Sequence, residues 1–129
     1  MQIVIHARGL LLTPSLRDYI ERRLRFAVDW ANHHISTLSV HLVDVNGPRG
    51  GEDKCCQIRV AIPGANDIVI EDTQVDMFVA IDRAADRAGR TLARRMARQR
   101  QRLRDRERIT DRPDGVADSP RQATTSDDG

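Results

Sequence analysis

Few side chains in this sequence have the types and spacing that metal binding or catalysis requires. The pairs His33–His34 and Cys55–Cys56 come nearest to a metal-ligand set. Zinc sites usually space paired ligands by about two to five residues, and adjacent ligands of one kind rarely reach the same tetrahedral ion. Adjacent cysteines in a strand would also point to opposite faces of the sheet. We therefore predict no metal site.

The sequence also gives no support for acid–base or nucleophilic catalysis. Asp82 and Asp86 are carboxylates four residues apart, but Arg90 follows Asp86 by the same step, so ion pairs along a helix explain them better than catalysis does. The segment GPRGG at residues 47–51 lacks the following helix and the Lys-Ser/Thr pair of a phosphate-binding loop. The chain also has no G-x-S-x-G motif. We predict that it is not an enzyme and has no cofactor and no small-molecule substrate.

The most regular polar pattern is a set of arginines in the last part of the chain. At about 100° per residue they fall in one band along a helix, and an apolar band lies on the opposite side. The arginine row consists of Arg83, Arg87, Arg90, Arg94 and Arg98. The apolar band consists of Met77, Phe78, Ile81, Ala84, Ala85, Ala88, Leu92 and Met96. A helix docked by the apolar band would hold the arginine row in solvent.

The charge of this stretch favours a polyanionic partner. Residues 87–108 contain ten arginines against two acids. Nucleic acid fits better than a membrane, because the stretch lacks Trp and Phe. Guanidinium groups bind phosphates with an affinity that falls as the salt concentration rises and does not depend on the nucleotide sequence. Arg95 adds to this surface, and Arg22, Arg23 and Arg25 of the first helix are a secondary contribution. A helix face that is merely solvated is the alternative.

Periodicity predicts the element order β-α-β-β-β-α. Alternating apolar residues indicate strands at 2–6, 35–45, 56–62 and 68–71. Thr13–Pro14 marks the start of the first helix, with threonine as N-cap and proline in the first turn. The second helix covers 76–108. Asp72 or Thr73 should begin its cap, and Thr73 and Asp76 have the spacing of a capping box, with Asp in place of Glu.

This order predicts an α+β fold, a two-layer sandwich with a four-stranded mixed sheet and two helices on one face. The β-α-β opening should be a right-handed crossover that makes the first two strands parallel, and the remaining strands should form an antiparallel meander. We expect one domain at 1–108 and a disordered polar tail at 109–129, because the tail has little apolar surface to bury. The region 46–53 should be a loop.

The compartment follows from what the sequence lacks. It has no secretory signal at its start, no apolar run of about 20 residues, and only two cysteines, which are adjacent. We therefore expect a cytoplasmic protein without a membrane partner.

Several local motifs resemble one family, the ribosome hibernation-promoting factors, also called ribosome-associated translation inhibitors. The opening MQIVIHARGLLLTPSLRDYIERRL is similar to the family's first strand, Thr-Pro start and first helix. DMFVAID at 76–82 resembles the family's Asp-Met-Tyr-Ala-Ala-Ile-Asp, and DRAGRTLARRMAR continues like its basic second helix. The resemblance covers about residues 1–102.

This resemblance implies a specific function. Members of the family bind the small ribosomal subunit in the channel for messenger and transfer RNA, contact ribosomal RNA through basic helices, and block initiation in starvation or stationary phase. By position, Arg87, Arg90, Arg94 and Arg98 match the family's basic residues of the second helix. We take the candidate RNA-binding residues to be Arg22, Arg23, Arg25, Arg83, Arg87, Arg90, Arg94, Arg95 and Arg98.

The sequence departs from the family pattern in three respects. Phe78 replaces the usual Tyr, arginine replaces nearly all lysine, and the C-terminal domain of long members is not expected, nor ribosome dimerisation through it. A stand-alone RNA-binding module or a protein–protein adaptor with a basic helix is the other hypothesis. A double-stranded RNA-binding domain would begin α-β-β-β-α, so the leading strand argues against that variant of it.

Overall fold

Four strands and two α-helices follow one another in the predicted order. The computed structural model describes residues 1–45 and 53–111. The elements are β1 (Gln2–Arg8), α1 (Pro14–Val28), a 3-10 helix (Asp29–His34), β2 (Thr37–Asp44), β3 (Lys54–Ala61), β4 (Ile68–Gln74) and α2 (Met77–Asp111). Most of the loop predicted at 46–53, and the predicted tail beyond residue 111, lie outside the described residues.

The four strands form one mixed sheet in the order β1-β2-β3-β4. β1 runs parallel to β2, with Ile5 opposite Val40. β2 and β3 are antiparallel, as are β3 and β4, with Ile58 opposite both Val40 and Ile70. The predicted parallel first pair and antiparallel meander are therefore confirmed, and the α+β fold class with them.

One face of the sheet forms the core with the two helices. The register aligns alternate residues of all four strands on that face, because side chains along a strand alternate between faces. The buried members are Ile5, Leu38, Val40, Leu42, Cys56, Ile58, Val60, Ile68 and Ile70. Burying this much apolar surface is the main stabilising contribution to a domain of this size.

Helix α1 begins as the Thr13–Pro14 pattern predicts. The Thr13 side chain accepts a hydrogen bond from the Leu16 backbone N–H at 3.1 Å, and Pro14 occupies the first turn. Buried positions recur at helical spacing on one side of α1: Leu16, Ile20, Leu24 and Val28. The α-helix ends at Val28, and the chain continues as a 3-10 helix that contains His33 and His34.

Helix α2 is capped by a different residue from the one predicted. β4 runs on to Gln74, and Thr73 is paired with Cys55 in the sheet. Oδ1 of Asp76 instead accepts a hydrogen bond from the Phe78 backbone N–H at 2.8 Å. The predicted cap at Asp72 or Thr73 is wrong, because both residues pair with β3 and the helix begins only at Met77, directly after Asp76.

The two α-helices lie side by side and run in the same direction. Tyr19 contacts Phe78 near the start of both helices, with ring centroids 4.9 Å apart in an edge-to-face arrangement. Further along, a Cβ placed on Gly89 would lie 3.0 Å from the carbonyl oxygen of Ala27. The absence of a side chain at Gly89 is what permits this approach.

Among the described residues the chain divides into two compact units, with the boundary between Ala93 and Arg94, and α2 runs from the first into the second. The sheet, α1 and the first half of α2 make up the first unit. None of the described helices is both long and apolar enough to cross a membrane.

Candidate nucleic-acid interface

The apolar band of α2 is buried and the arginine row is exposed, as predicted. Within the first unit the band is buried at Met77, Ile81, Ala84, Ala85, Ala88 and Leu92, whereas Phe78 is half exposed beside Tyr19. All five residues of the arginine row lie in the exposed class. Packing of the band on the core fixes the rotation of the helix, so the arginines point away from it.

Arg90 and Arg98 are the least constrained members of the row. Neither makes a hydrogen bond or an ion pair with any other described residue. A guanidinium has five N–H donors, and in these two exposed residues none of them is used by another described residue. Arg90 and Arg98 therefore have the full capacity to bind phosphate oxygens.

Arg83 and Arg87 are instead held by strand β4. Nη1 of Arg87 donates to the Glu71 carbonyl oxygen at 2.8 Å and to Asp72 Oδ2 at 3.3 Å. Nε of Arg83 lies 3.6 Å from the same Asp72 oxygen. Both guanidiniums remain about half exposed, with 61% and 45% of the side chains accessible. They can still present N–H groups outward, from positions set by Asp72.

Asp72 holds two members of the arginine row, a role that the sequence did not lead us to predict. It is only 8% exposed, and Gln74 Nε2 donates to its second oxygen at 2.6 Å. A carboxylate is buried at such a position only when it is paired and hydrogen-bonded, as it is here. The signal was its register: Ile68, Ile70 and Asp72 share the inner face of β4, so an acid there must meet a cation from the helix layer.

Arg94, Arg95 and Arg98 lie in the part of α2 that belongs to the second unit. Arg94 and Arg98 are exposed and Arg95 is half-buried. Arg94 and Arg95 each have an interaction partner, so neither is a free cation.

The three candidate arginines of α1 differ in their surroundings. Arg22 and Arg25 are exposed and have no hydrogen-bond or ion-pair partner in the described part of the chain. Arg23 is half-buried and spans the two helices. Its Nε donates to Asp82 Oδ1 at 2.8 Å, and its Nη2 donates to the Asp82 carbonyl oxygen and to Asp86 Oδ1, both at 3.0 Å. Arg23 therefore joins α1 to α2, while Arg22 and Arg25 face outward.

This network corrects the predicted pairing along α2. Asp86 pairs with Arg23 of the other helix and not with Arg90, which is why Arg90 is available to an external ligand. Tyr19 completes the network, because its hydroxyl donates to Asp82 Oδ1 at 2.5 Å. The spacing of acid and base along one helix could not reveal partners that lie about sixty residues apart, at 59 and 63 residues.

The network shifts the pKa of each member. Desolvation alone would raise the pKa of Asp82, but hydrogen bonds from Tyr19 and Arg23 outweigh it and lower that pKa. The hydrogen bond to the Asp82 carboxylate raises the pKa of Tyr19. Desolvation of the Arg23 guanidinium opposes its charge, yet the hydrogen bonds to Asp82 and Asp86 raise its pKa overall. Near neutral pH Asp82 is therefore ionised, Arg23 is protonated and the Tyr19 hydroxyl is neutral, which is the combination that these hydrogen bonds need.

The histidine and cysteine pairs do not converge. His33 and His34 are exposed on the 3-10 helix, whereas Cys55 and Cys56 lie in β3 on opposite faces of the sheet. Burial raises the pKa of Cys56 to about 12, so it is an inert core thiol. Across 1–45 and 53–111, no three His, Cys, Asp or Glu side chains come together in a way that could hold a metal ion.

Comparison with known families places the chain. A family model described as "Sigma 54 modulation protein / S30EA ribosomal protein" matches residues 3–100, and the chain belongs to this family. The relationship expected from the sequence motifs is thereby confirmed. A search of curated proteins found no match.

Two solved structures illustrate the shared fold. A ribosomal subunit interface protein from Coxiella burnetii superposes with a TM-score of 0.64 at 22% identity, covering 75% of this chain and 99% of that one. The N-terminal domain of Protein Y from Thermus thermophilus gives a TM-score of 0.60 at 27% identity, covering 73% of this chain and 98% of that one.

Proposed function

We propose that this protein is a ribosome-associated inhibitor of translation that acts in stress or stationary phase. In this proposal it binds ribosomal RNA of the small subunit through the arginine row and occupies the channel for messenger and transfer RNA. The observation that carries the proposal is the exposed arginine row on a helix whose opposite side is buried, in a member of the S30EA family. The name of the Coxiella relative, a ribosomal subunit interface protein, supports the same partner.

The chemistry of the row suits a phosphate backbone. Successive members lie about one helical turn apart, about 5.4 Å along the axis. Each guanidinium can donate two parallel hydrogen bonds to a phosphate, and arginine keeps its charge at any physiological pH. Asp72 orients Arg83 and Arg87, which lowers the side-chain entropy lost when a phosphate binds. Arg90 is fully available and is the centre of the proposed contact.

The proposed mode of action is occupancy, without a chemical step. Phosphate contacts fix the position of a protein on RNA but carry no base-specific information, so the shape of the ribosomal channel would supply the specificity. A protein seated there excludes messenger and transfer RNA by volume. Because ribosomes are cytoplasmic, the proposal places the protein in the cytoplasm.

Sedimentation with purified ribosomal subunits tests the proposal. We expect the protein to travel with the small subunit on a sucrose gradient at low salt, to dissociate at moderate salt, and to be displaced by messenger RNA with initiator transfer RNA. Salt sensitivity follows from the release of counterions from each neutralised phosphate. Equal binding to bare RNA duplexes and to small subunits would instead support a stand-alone RNA-binding module and contradict the proposal.

A further inference from the structure

Two aromatic rings lie uncovered on the outer surface of the helix layer. Phe26 of α1 is 84% exposed, and Trp30, in the 3-10 helix that follows, is 54% exposed. The ring contacts found among the described residues join other pairs, Tyr19 with Phe78 and His6 with His41. Neither Phe26 nor Trp30 therefore stacks on another ring of the described chain.

Ala27, which lies between the two rings in the sequence, is the point where α1 comes closest to Gly89 of α2. Ala27 of α1 approaches Gly89 closely, and Ala93 lies one turn further along α2 on the same side. Gly89 and Ala93 have no side chain long enough to cover Phe26 or Trp30. Phe26 and Trp30 are therefore left exposed at this place in the helix layer.

The orientation of Trp30 is fixed in a way that suits stacking. Its indole Nε1–H donates to the carbonyl oxygen of Ala27 at 2.9 Å. Because this is the only hydrogen-bond donor of the indole, Trp30 has none left to read the edge of a base. The ring can offer its face, which every base can stack on.

The charges around the rings select a ligand with phosphates. Arg22 and Arg25 line a surface hollow together with Asp18 and Glu21, neither of which has a hydrogen bond or ion pair to them, and the nearest acid after Phe26 is Asp29. Arg22 and Arg25 are exposed without a partner in the described part of the chain, whereas Oδ1 of Asp29 already accepts from Asn32 at 3.2 Å. A surface that joins ring faces to free guanidiniums matches single-stranded nucleic acid, which offers base faces and phosphates together.

We infer that Phe26 and Trp30 form a stacking site for unpaired bases of RNA, with Arg22 and Arg25 binding the adjoining phosphates. This inference rests on the proposed function and deepens it: the arginine row would hold the backbone of one segment, and the aromatic pair would hold bases that are not in a duplex. Stacking adds affinity that depends little on salt, in contrast to the contribution of the arginine row.

Trp30 is the only tryptophan in the chain, so its fluorescence reports on this site directly. The experiment titrates the full chain with oligoadenylate and, separately, with inorganic polyphosphate, which carries the charges without bases. Binding is measured by fluorescence anisotropy of a dye on the ligand, and stacking by quenching of Trp30. We expect both ligands to bind and only oligoadenylate to quench Trp30.

Variants complete the test. F26A should weaken oligoadenylate binding by roughly fivefold to a hundredfold, the range that one stacked base contributes, with an unchanged salt dependence. W30F should keep most of the affinity, because it keeps a ring. L11A removes another exposed apolar side chain, 81% accessible, and should bind like the wild type.

Three results would overturn the inference. They are oligoadenylate binding without quenching of Trp30, F26A binding within twofold of the wild type, or a Trp30 signal that changes with protein concentration alone, which would assign the surface to a second copy of the chain. In the first two cases salt-dependent binding to small subunits would leave the proposed function standing. Failure to bind small subunits as well would remove both.

Discussion

Arg23 and Asp82 fasten the two helices of this protein to each other. Nε of Arg23 donates to the Asp82 carboxylate at 2.8 Å, and its Nη2 donates to the Asp82 backbone carbonyl at 3.0 Å. One guanidinium therefore binds both the side chain and the main chain of α2. This contact sets the position of α1 beside the arginine row. Arg23 therefore stabilises the fold, whereas exposed arginines without a partner in the described part of the chain, such as Arg22, are available to a ligand.

Replacing Arg23 should therefore mainly lower stability, whereas replacing the neighbouring Arg22 should mainly weaken binding to small subunits. R23A should lower the free energy of unfolding by about 1 kcal/mol, because Asp82 loses its ion pair and keeps only the Tyr19 hydroxyl, and Asp86 loses its partner. R22A should change stability by less than about 0.5 kcal/mol, since Arg22 is exposed and unpaired in the described part of the chain. Urea denaturation measures both. Binding to small subunits should fall more in R22A, and a larger stability loss in R22A than in R23A would contradict the assignment.

The free energy of unfolding should decrease in acid because Asp82 becomes protonated. Its pKa is lower in the folded protein than in the unfolded chain, so its stabilising contribution is complete above the unfolded-state pKa and is lost as the pH falls through the folded-state pKa. We expect the urea midpoint of the wild type to drop between about pH 5 and pH 2 by more than that of D82N. Parallel pH profiles for the two proteins would exclude this contribution.

Tyr19 should give the complementary effect in alkali. Its pKa is raised in the folded protein by the hydrogen bond to Asp82, so its contribution is complete below the unfolded-state pKa and is lost as the pH rises through the folded-state value. The wild type should lose stability above about pH 10 more steeply than Y19F. Ultraviolet absorbance measures the ionisation of the Tyr19 phenol directly, because Tyr19 is the only tyrosine of the chain.

The close approach of the helices makes Gly89 sensitive to size. G89V should destabilise the protein by about 2 kcal/mol or more, because the branched side chain must displace the backbone of Ala27. The matched control is A93V, one turn later at an exposed position, which should cost less than about 1 kcal/mol through helix propensity. Equal losses in the two variants, measured by thermal or urea denaturation, would show that the helices are further apart than described.

The fold was largely predictable because its core follows simple periods. Alternation placed Leu38, Val40 and Leu42 on one face, and the β-α-β opening predicted the parallel pairing of β1 and β2. The ends of elements were less accurate. The alternation of apolar residues stops at Ile70, so β4 appeared to end at Glu71, although backbone pairing with β3 continues to Gln74.

The site was predictable in direction but not in detail. The helical period correctly placed Arg90 and Arg98 on the exposed side of α2. It could not identify Asp72 as the partner of Arg87, or separate Arg23 from Arg22, because those differences depend on how β4 and α1 lie against α2. Such contacts between elements distant in sequence leave no period of their own. That these arginines bind RNA remains a prediction.

Charge reversal on the arginine row tests the central claim most directly. The variant R90E/R94E should lose at least roughly tenfold in affinity for purified small ribosomal subunits at moderate salt, and the slope of log affinity against log salt should fall by about two. The control R8E/R59E makes the same change of charge at exposed positions on the outer face of the sheet, and R59E also removes an exposed ion pair with Asp67, as R94E removes the contact of Arg94. It should bind like the wild type, with circular dichroism unchanged in both variants. Unaltered small-subunit binding by a folded R90E/R94E protein would contradict the account.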